Sequence, residues 1–499
     1  MEFNDLLLGF SIALTPTNLL LAFIGVFLGT VIGALPGIGP SAGVALLLPV
    51  TVGISPVTAM IMLAGIYYGA MYGGTITSVL INTPGESASV MTTLDGYQMA
   101  LKGRAGAALG MAAIGSFIAG TVSVVLLMVA APPLADVAVT FGPPEYFALM
   151  VLGLTALAGL TSGSILKALV MALVGLMLGT VGIDLMLGAP RFTFDNVNLL
   201  DGLDFLPVAV GLFAVGELLF NLYKPVRAEP IKAKLSGLLP TRQDWRDSRG
   251  GVARGTLVGF FVGVLPGAGA TIASFLAYAI EKRISKHPEK FGTGAIEGVA
   301  APESANNSAS TGALIPLMAL GIPGSGTTAV MLGALTLHGM QPGPLLMSTH
   351  PDVFWGLVAS MYIGNVMLLI LNLPLAPMFA SILRVPYSVL IPFIIGIALI
   401  GVYSAENSLF NVGVAIVFGA IGFVMRLYGY PAAPLVLALV LGPMLEKALR
   451  QSLQMSLGST EIFVTRPVSA FILALALLAL LFPLMAAMRA RRGKRVLAS

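Results

Sequence analysis

No charged residue lies between Asp5 and Glu86. A chain that runs this far without an ionic group cannot present it all to water, and about 20 apolar residues make one helical membrane crossing. Apolar runs continue along the chain. In the first half they lie near Leu19–Leu35, Val57–Leu80, Ala105–Ala131, Tyr146–Leu160, Ile165–Val181 and Leu206–Leu222. In the second half they lie near Gly255–Leu265, Ala309–Thr336, Phe354–Leu383, Val389–Val402, Val412–Met425, Pro434–Leu445 and Phe471–Met488. Several are too short or too broken for simple crossings, and the length suits about ten to twelve spans plus hairpins. The runs are continuous rather than alternating, which excludes a β-barrel. Charged residues are only 10% of the chain, against about 25% in a soluble domain. The absence of cysteine removes a disulfide-stapled secreted domain. The expected class is an all-α polytopic membrane protein.

The few charges set an expected orientation. Basic residues gather in Lys224–Arg254 (Lys224, Arg227, Lys232, Lys234, Arg242, Arg246, Arg249) and in the tail (Arg489, Arg491, Arg492, Lys494, Arg495). The positive-inside rule puts both clusters, and with them the C-terminus, in the cytoplasm. Neither cluster is interleaved with aromatics, so the expected partner is the lipid bilayer and not nucleic acid. No basic region precedes the first apolar stretch, so no cleavable signal peptide is expected.

The polar stretch divides two copies of one pattern. Gly25, Gly29, Gly33 and Gly37 surround GALPGIG; Gly255, Gly259, Gly263 and Gly267 surround GVLPGAG, and Pro36 and Pro266 are 230 residues apart. A second pair follows, Asn82–Ser89 (NTPGESAS) and Gly321–Thr328 (GIPGSGTT), with Pro84 and Pro323 separated by 239. Such a recurrence predicts an internal repeat. The expected organisation is a first transmembrane repeat over 1–223, a basic cytoplasmic linker over 224–254, a second repeat over 255–466, and an extra helix with tail over 467–499. Charge predicts that the copies are inverted. Lys102 and Arg104 follow the second break of copy one and belong inside, whereas Gln341–Asp352 follows that of copy two without Lys or Arg and belongs outside. Asp184–Asp204, Glu406 and Glu446–Arg466 are likewise expected outside, and Arg384 and Arg426 inside.

The breaks carry the chemistry. Glycines at spacing four let another backbone approach, which by itself requires only helix packing. Proline in an apolar helix removes a hydrogen bond and clashes with the preceding turn. Bare backbone groups at membrane depth are tolerated only inside protein or beside a wet cavity. Pro36, Gly37 and Gly39, with Pro266, Gly267 and Gly269, are therefore expected at broken-helix ends or re-entrant hairpin tips whose freed carbonyls, with Asn306, bind a cation; a plain proline kink is the alternative. In the second pair, Thr83 is expected to cap a helix with Pro84 at its first position. Helix starts suit anions. An anion is expected between Asn82, Thr83, Pro84, Gly85, Ser87 and Ser89 on one side and Pro323, Gly324, Ser325, Gly326, Thr327 and Thr328 on the other, with Asn307 and Thr311 adding hydrogen bonds. The alternative is that these hydroxyls only satisfy local backbone. Intramembrane polar groups are costly and are functional candidates; Glu86 and Glu303 are expected to carry a proton or coupling role, unless Ala301–Asn306 is an extramembrane loop.

Other chemistry is poorly supported. His287, His338 and His350 share no metal-ligand spacing, no Walker loop is present, and Thr161–Ser164 is only a polar turn. Glu217 is read as a helix-end residue near Lys224. Neither an enzyme nor a bound cofactor is expected.

Gly33–Pro49, Ile66–Glu86, Asp95–Gly106, Gly263–Lys282 and Glu297–Val330 together resemble the large membrane subunit of the tripartite tricarboxylate transporters, the TctA family, and the likeness covers nearly the whole chain. That resemblance implies a secondary transporter of the bacterial inner membrane. It implies uptake of citrate-like tricarboxylates or other small organic carboxylates, coupled to Na⁺ or H⁺. It also implies a small four-helix membrane subunit and a periplasmic solute-binding protein as partners. A self-sufficient carrier or channel that needs no binding protein is the competing expectation, and an elevator-type motion follows only by analogy.

Overall fold

The computed structural model describes residues 3–160, 164–184, 186, 188–224, 237–267, 269–376, 378–379 and 387–496. The expectations placed on Arg227, Lys232, Lys234, Arg384 and residues 161–163 lie outside the described residues. Described secondary structure is helical apart from a two-residue antiparallel pairing of Gly182–Ile183 with Pro190–Arg191. Among the described residues seven helices are long and apolar enough to cross a membrane: Pro16–Gly33, Pro56–Ile81, Ala105–Val139, Phe205–Tyr223, Pro351–Asn372, Leu409–Tyr428 and Ala432–Met455. Shorter apolar helices accompany them. This is an all-α polytopic membrane protein. Phe205–Tyr223 contains a π-helical stretch, Val210–Val215.

All four prolines singled out in the sequence fall between helices. Pro36 separates Pro16–Gly33 from Pro40–Leu47, and Pro266 separates Arg242–Val264 from Gly269–Ile284. Pro84 follows Pro56–Ile81 and precedes the short turn Ser87–Ser89 and the helix Val90–Leu101. Pro323 lies between Leu314–Leu320 and Gly326–Leu337. Proline cannot donate the bond that would continue a helix, and the flanking glycines adopt conformations that side chains disfavour: φ is 83° at Gly37 and 82° at Gly267.

The glycine ladders show what the spacing of four is for. A Cβ placed on Gly25, Gly29 or Gly33 would lie 2.4, 2.4 or 2.2 Å from the carbonyl oxygen of Met62, Ile66 or Ala70. On Gly255, Gly259 or Gly263 it would lie 2.3, 2.3 or 2.4 Å from that of Ala301, Ala305 or Ala309. The two sets match through the same offsets, 230 for the glycines and 239 for their partners. Both partners climb together in number, so in each copy the two helices pack parallel. Thr58 Oγ1 donates to Asn18 Oδ1 at 2.6 Å, tying the beginnings of the first pair together. The intervening chain must therefore double back. In the second copy the return helix Gly269–Ile284 brings Glu281 to Arg254, whose Nε and Nη2 donate to its carboxylate at 2.8 and 2.6 Å.

Charged groups separate towards opposite ends of Ala105–Val139. At its start Arg104 pairs with Asp244, and Lys102 Nζ donates to the Thr293 carbonyl at 2.6 Å. Just beyond its other end Arg466 pairs with Glu145 at 2.8 Å.

Overpacking a close helix contact costs about 1–3 kcal/mol or more. Gly259→Val should therefore lower the thermal unfolding midpoint of the detergent-purified protein markedly. Gly413→Ala, where nothing lies within 4 Å of an added Cβ, should leave it unchanged or slightly raised. Equal midpoints for the two variants would contradict backbone contact along the ladder.

Candidate functional site

The second break of copy one does not begin a helix where the sequence places it. Thr83 is not a cap and Pro84 is not a first helical residue. Asn82 instead ends the preceding helix in the left-handed region (φ 54°), a conformation that asparagine tolerates better than most residues. The cap is Glu86, whose Oε2 accepts from the Ala88 amide at 2.6 Å, with Ser89 Oγ 3.5 Å from the Glu86 amide. Gly85 explains the shift. A Cβ there would lie 2.0 Å from the Gly33 carbonyl oxygen, so the chain passes flat over the glycine ladder before it can coil again.

The second copy repeats this construction. Gly321 (φ 71°) ends the helix, and Ser325 caps the next one. Ser325 Oγ accepts from the Thr328 amide at 3.2 Å, while Thr328 Oγ1 accepts from the Ser325 amide at 2.8 Å. Through the offset of 239, Glu86 is the counterpart of Ser325 and Ser89 of Thr328. The caps differ in chemistry: a carboxyl group stands in one copy and a hydroxyl in the other. Glu86 Oε1 is buried and accepts no hydrogen bond.

Each start meets the first break of the other copy. Thr327 Oγ1 lies 3.0 Å from Ser41 Oγ, beside Pro40, and Ser87 Oγ lies 2.8 Å from Thr271 Oγ1, beside Gly269. Tyr67 Oη is 3.4 Å from Ser325 Oγ. Among the described residues no hydrogen bond joins one start directly to the other.

Glu303 lies in the helix Glu297–Gly312, and Ala301–Asn306 is buried throughout, so it is not a loop outside the membrane. Glu303 is 0% exposed and joins the copies: Thr75 Oγ1 donates to Oε2 at 2.6 Å, Thr92 Oγ1 donates to Oε1, and Asn306 Nδ2 is 3.3 Å from Oε2. Asn307 Nδ2 donates to Ser116 Oγ at 2.7 Å and to Asn306 Oδ1 at 2.5 Å. Thr311 Oγ1 turns to the Asn307 carbonyl at 3.4 Å.

Several participants escaped the reading of the sequence. Asp95 is 0% exposed, and its Oδ1 accepts the amides of Gly292, Gly294 and Ala295, each at 2.8 Å; Tyr278 Oη donates to Oδ2 at 2.8 Å. It thereby holds the loop that leads into the Glu303 helix. Asn221 sits against the first break, since a Cβ on Gly37 would lie 2.7 Å from its Oδ1. Nearby Glu217, expected at a helix end, lies within the helix Phe205–Tyr223 and pairs at 3.1 Å with Arg426 in the last turn of Leu409–Tyr428. Among the described residues no group of three or more His, Cys, Asp or Glu could hold a metal ion.

A model of the tripartite tricarboxylate transporter TctA family matches residues 19–437. The chain belongs to the TctA family. Membership makes it a transport protein and not an enzyme. Two proteins of Agrobacterium vitis are similar to this TctA-family chain. An uncharacterized 52.8 kDa protein in the TAR-I ttuC′ 3′ region is 51% identical over 98% of both chains. An uncharacterized protein in the TAR-II ttuC′ 3′ region is 47% identical over 47% of this chain and 98% of its own length. No solved structure matches.

A hydrogen bond to a charged acceptor contributes about 1.5–3 kcal/mol. Asp95→Ala should therefore lower the unfolding midpoint and speed proteolysis at Phe291–Ile296. Asp95→Asn keeps the oxygen that accepts three amides and should be milder. The same midpoint for both variants and the parent would contradict this role.

Proposed function

We propose that this chain is the large subunit of a secondary transporter that imports citrate-like tricarboxylates, or related small organic carboxylates, across the bacterial inner membrane. It works with a periplasmic solute-binding protein and a small four-helix membrane subunit, and a Na⁺ or H⁺ gradient drives it. Residues 1–223 and 255–466 are two inverted copies, joined by the cytoplasmic linker 224–254 and followed by the extra helix and tail of 467–499. About ten to twelve spans plus hairpins accommodate the seven long helices and the shorter apolar ones. The matched glycine ladders and the reciprocal pairs Ser41–Thr327 and Ser87–Thr271 support a pseudo-two-fold relation between the copies. The end that carries Lys102, Arg104, Arg242 and Arg254 faces the cytoplasm by the positive-inside rule, and the C-terminus lies on that side.

The single observation that carries the assignment of sites is the pair of unlike caps. A helix start presents free amides and the positive end of its dipole. At Glu86 that position is already filled by a carboxylate belonging to the protein. At Ser325 the cap is neutral, so the start is available to a substrate anion. We assign the anion to Pro323–Thr328, with Tyr67 and Ser41 beside it and the Asn307–Thr311 segment behind. The coupling cation belongs to the Glu86 junction, where Oε1 is open, and to the backbone at Pro36–Gly39 and Pro266–Gly269. Of the two buried carboxylates Glu86 suits this better, because both oxygens of Glu303 are engaged by donors. Binding the cation first offsets part of the anion's charge before either crosses. One copy then moves against the other.

Uptake of radiolabelled citrate into vesicles that hold the full assembly tests this. Ser325→Ala combined with Thr328→Ala should lower kcat/KM at least tenfold with expression intact, and Gly324→Leu, crowded against Ala313, should abolish uptake. Glu86→Gln should lose gradient-driven accumulation yet keep exchange of internal for external substrate. Normal accumulation by Glu86→Gln would remove the coupling assignment, and normal kcat/KM in the double variant would remove the anion site.

A further inference from the structure

Two large cavities flank the helix Ala432–Met455 near its C-terminal end, about 670 and 460 Å³ in volume, and Lys447 and Gln451 line both. Their electrostatics differ. The larger holds Asp184, Arg191, Glu446 and Arg450, which neutralise one another: Arg191 reaches Glu446 at 2.7 Å and Asp184 at 3.3 Å, and Arg450 reaches Glu446 at 2.6 Å and Asp184 at 3.0 Å. In the smaller, Lys447 is the only charged residue among the described residues that line it, with polar groups supplied by Tyr146, Thr336, Gln341 and Gln451. No ion pair engages Lys447 among the described residues. Among the described residues, of the acids that line the larger cavity with Lys447, Glu446 and Asp184 pair with arginines and Asp201 does not, whereas the smaller cavity has no acid in its lining.

The smaller cavity also has a defined floor. Gly321 and Ile322 line it, and they immediately precede Pro323, Gly324 and Ser325. Gly321 is left-handed and has no room for a side chain, since a Cβ would lie 2.9 Å from the Pro342 carbonyl oxygen. The cavity therefore ends on the residues that lead along the chain into the neutral helix start at Ser325. Its volume lies in the ~300–1,000 Å³ range of small-molecule pockets.

We propose that this cavity is an entry vestibule in which Lys447 captures one carboxylate of the incoming substrate, with the Gln451 and Gln341 amides donating to a second, before the anion passes Gly321 to the Ser325 start. The ligand class is a small di- or tricarboxylate. The inference rests on the functional reading above and adds to it a binding step ahead of the central site. A positively charged, partly apolar concavity concentrates anions at its mouth and raises their capture rate.

The chain has no cysteine, so Leu345→Cys, at an exposed position of the cavity lining with no part in the proposed binding, provides a single reporter thiol. In right-side-out membrane vesicles of cells expressing the full-length chain with its small membrane subunit, supplied with the solute-binding protein, a membrane-impermeant thiosulfonate should label it. Millimolar citrate, succinate or malate, whichever the assembly transports best, should slow labelling at least threefold. Adding Lys447→Gln should abolish that protection. In a chain without the reporter, Lys447→Gln should raise KM five- to twentyfold with kcat within twofold, and Lys447→Arg should stay near the parent.

Absence of protection by all three acids in vesicles that transport one of them would overturn the vestibule, as would an unchanged KM in Lys447→Gln. Protection that depends on anionic lipid and not on added acid would assign the cavity to a lipid headgroup and overturn it equally. Protection without any uptake would leave the vestibule standing and remove the transport reading instead.

Discussion

The contact between a glycine and a carbonyl oxygen across two parallel helices governs this molecule. With no side chain at Gly25, Gly29 and Gly33, or at Gly255, Gly259 and Gly263, one helix rests directly on the backbone of the next. In a bilayer, where burying apolar surface against another helix gains little over lipid, such close packing is a principal source of association. It also fixes where the chain stops coiling. Gly85 and Gly324 cross the ends of the two ladders, at Gly33 and Gly263. The helix breaks are thus held in place by the same surfaces that hold the helices together.

The two halves share local geometry and differ at the cap. The ladders, the left-handed residues Asn82 and Gly321 and the two capping boxes have kept their geometry. The residue at the cap has not: glutamate stands in one copy and serine in the other. Behind the caps, two buried acids draw most of their partners from the other copy. Glu303 receives Thr75 and Thr92, and Asp95 receives Tyr278 and three amides. Buried charges are retained only with such partners, because leaving one unpaired costs several kcal/mol.

Much of this was legible in the residues. The repeat, the four breaks and the polar segment around Glu303 could be read from Pro-Gly spacing and from oxygens and amides set in apolar runs. Helix class followed from uninterrupted hydrophobicity. The failures share one cause. Thr83 looked like a cap because small hydroxyls before proline usually are, and nothing local shows that Gly85 must lie flat against Gly33. Asp95, Thr92 and Asn221 gave no signal for the same reason: the residues they meet are distant in number. Helix Arg242–Val264 begins well inside the polar stretch because its first turns carry the charged face that meets Glu281 and Asp244's partner Arg104. Hydropathy alone trims it to the apolar part.

The helix Ala105–Val139 has 35 residues, so at about 1.5 Å per residue it is about 52 Å long. The hydrocarbon layer is about 30 Å thick, and even a tilt of about 40° leaves the helix overreaching it. Its two ends, with the Arg104–Asp244 and Glu145–Arg466 pairs, therefore stand in the aqueous margins, where mobile ions screen charges over about 8 Å. Glu303, buried among Thr75, Thr92 and Asn306, is beyond their reach. Ionic strength thus acts on the extremities of the transporter and leaves its buried heart at constant electrostatic setting.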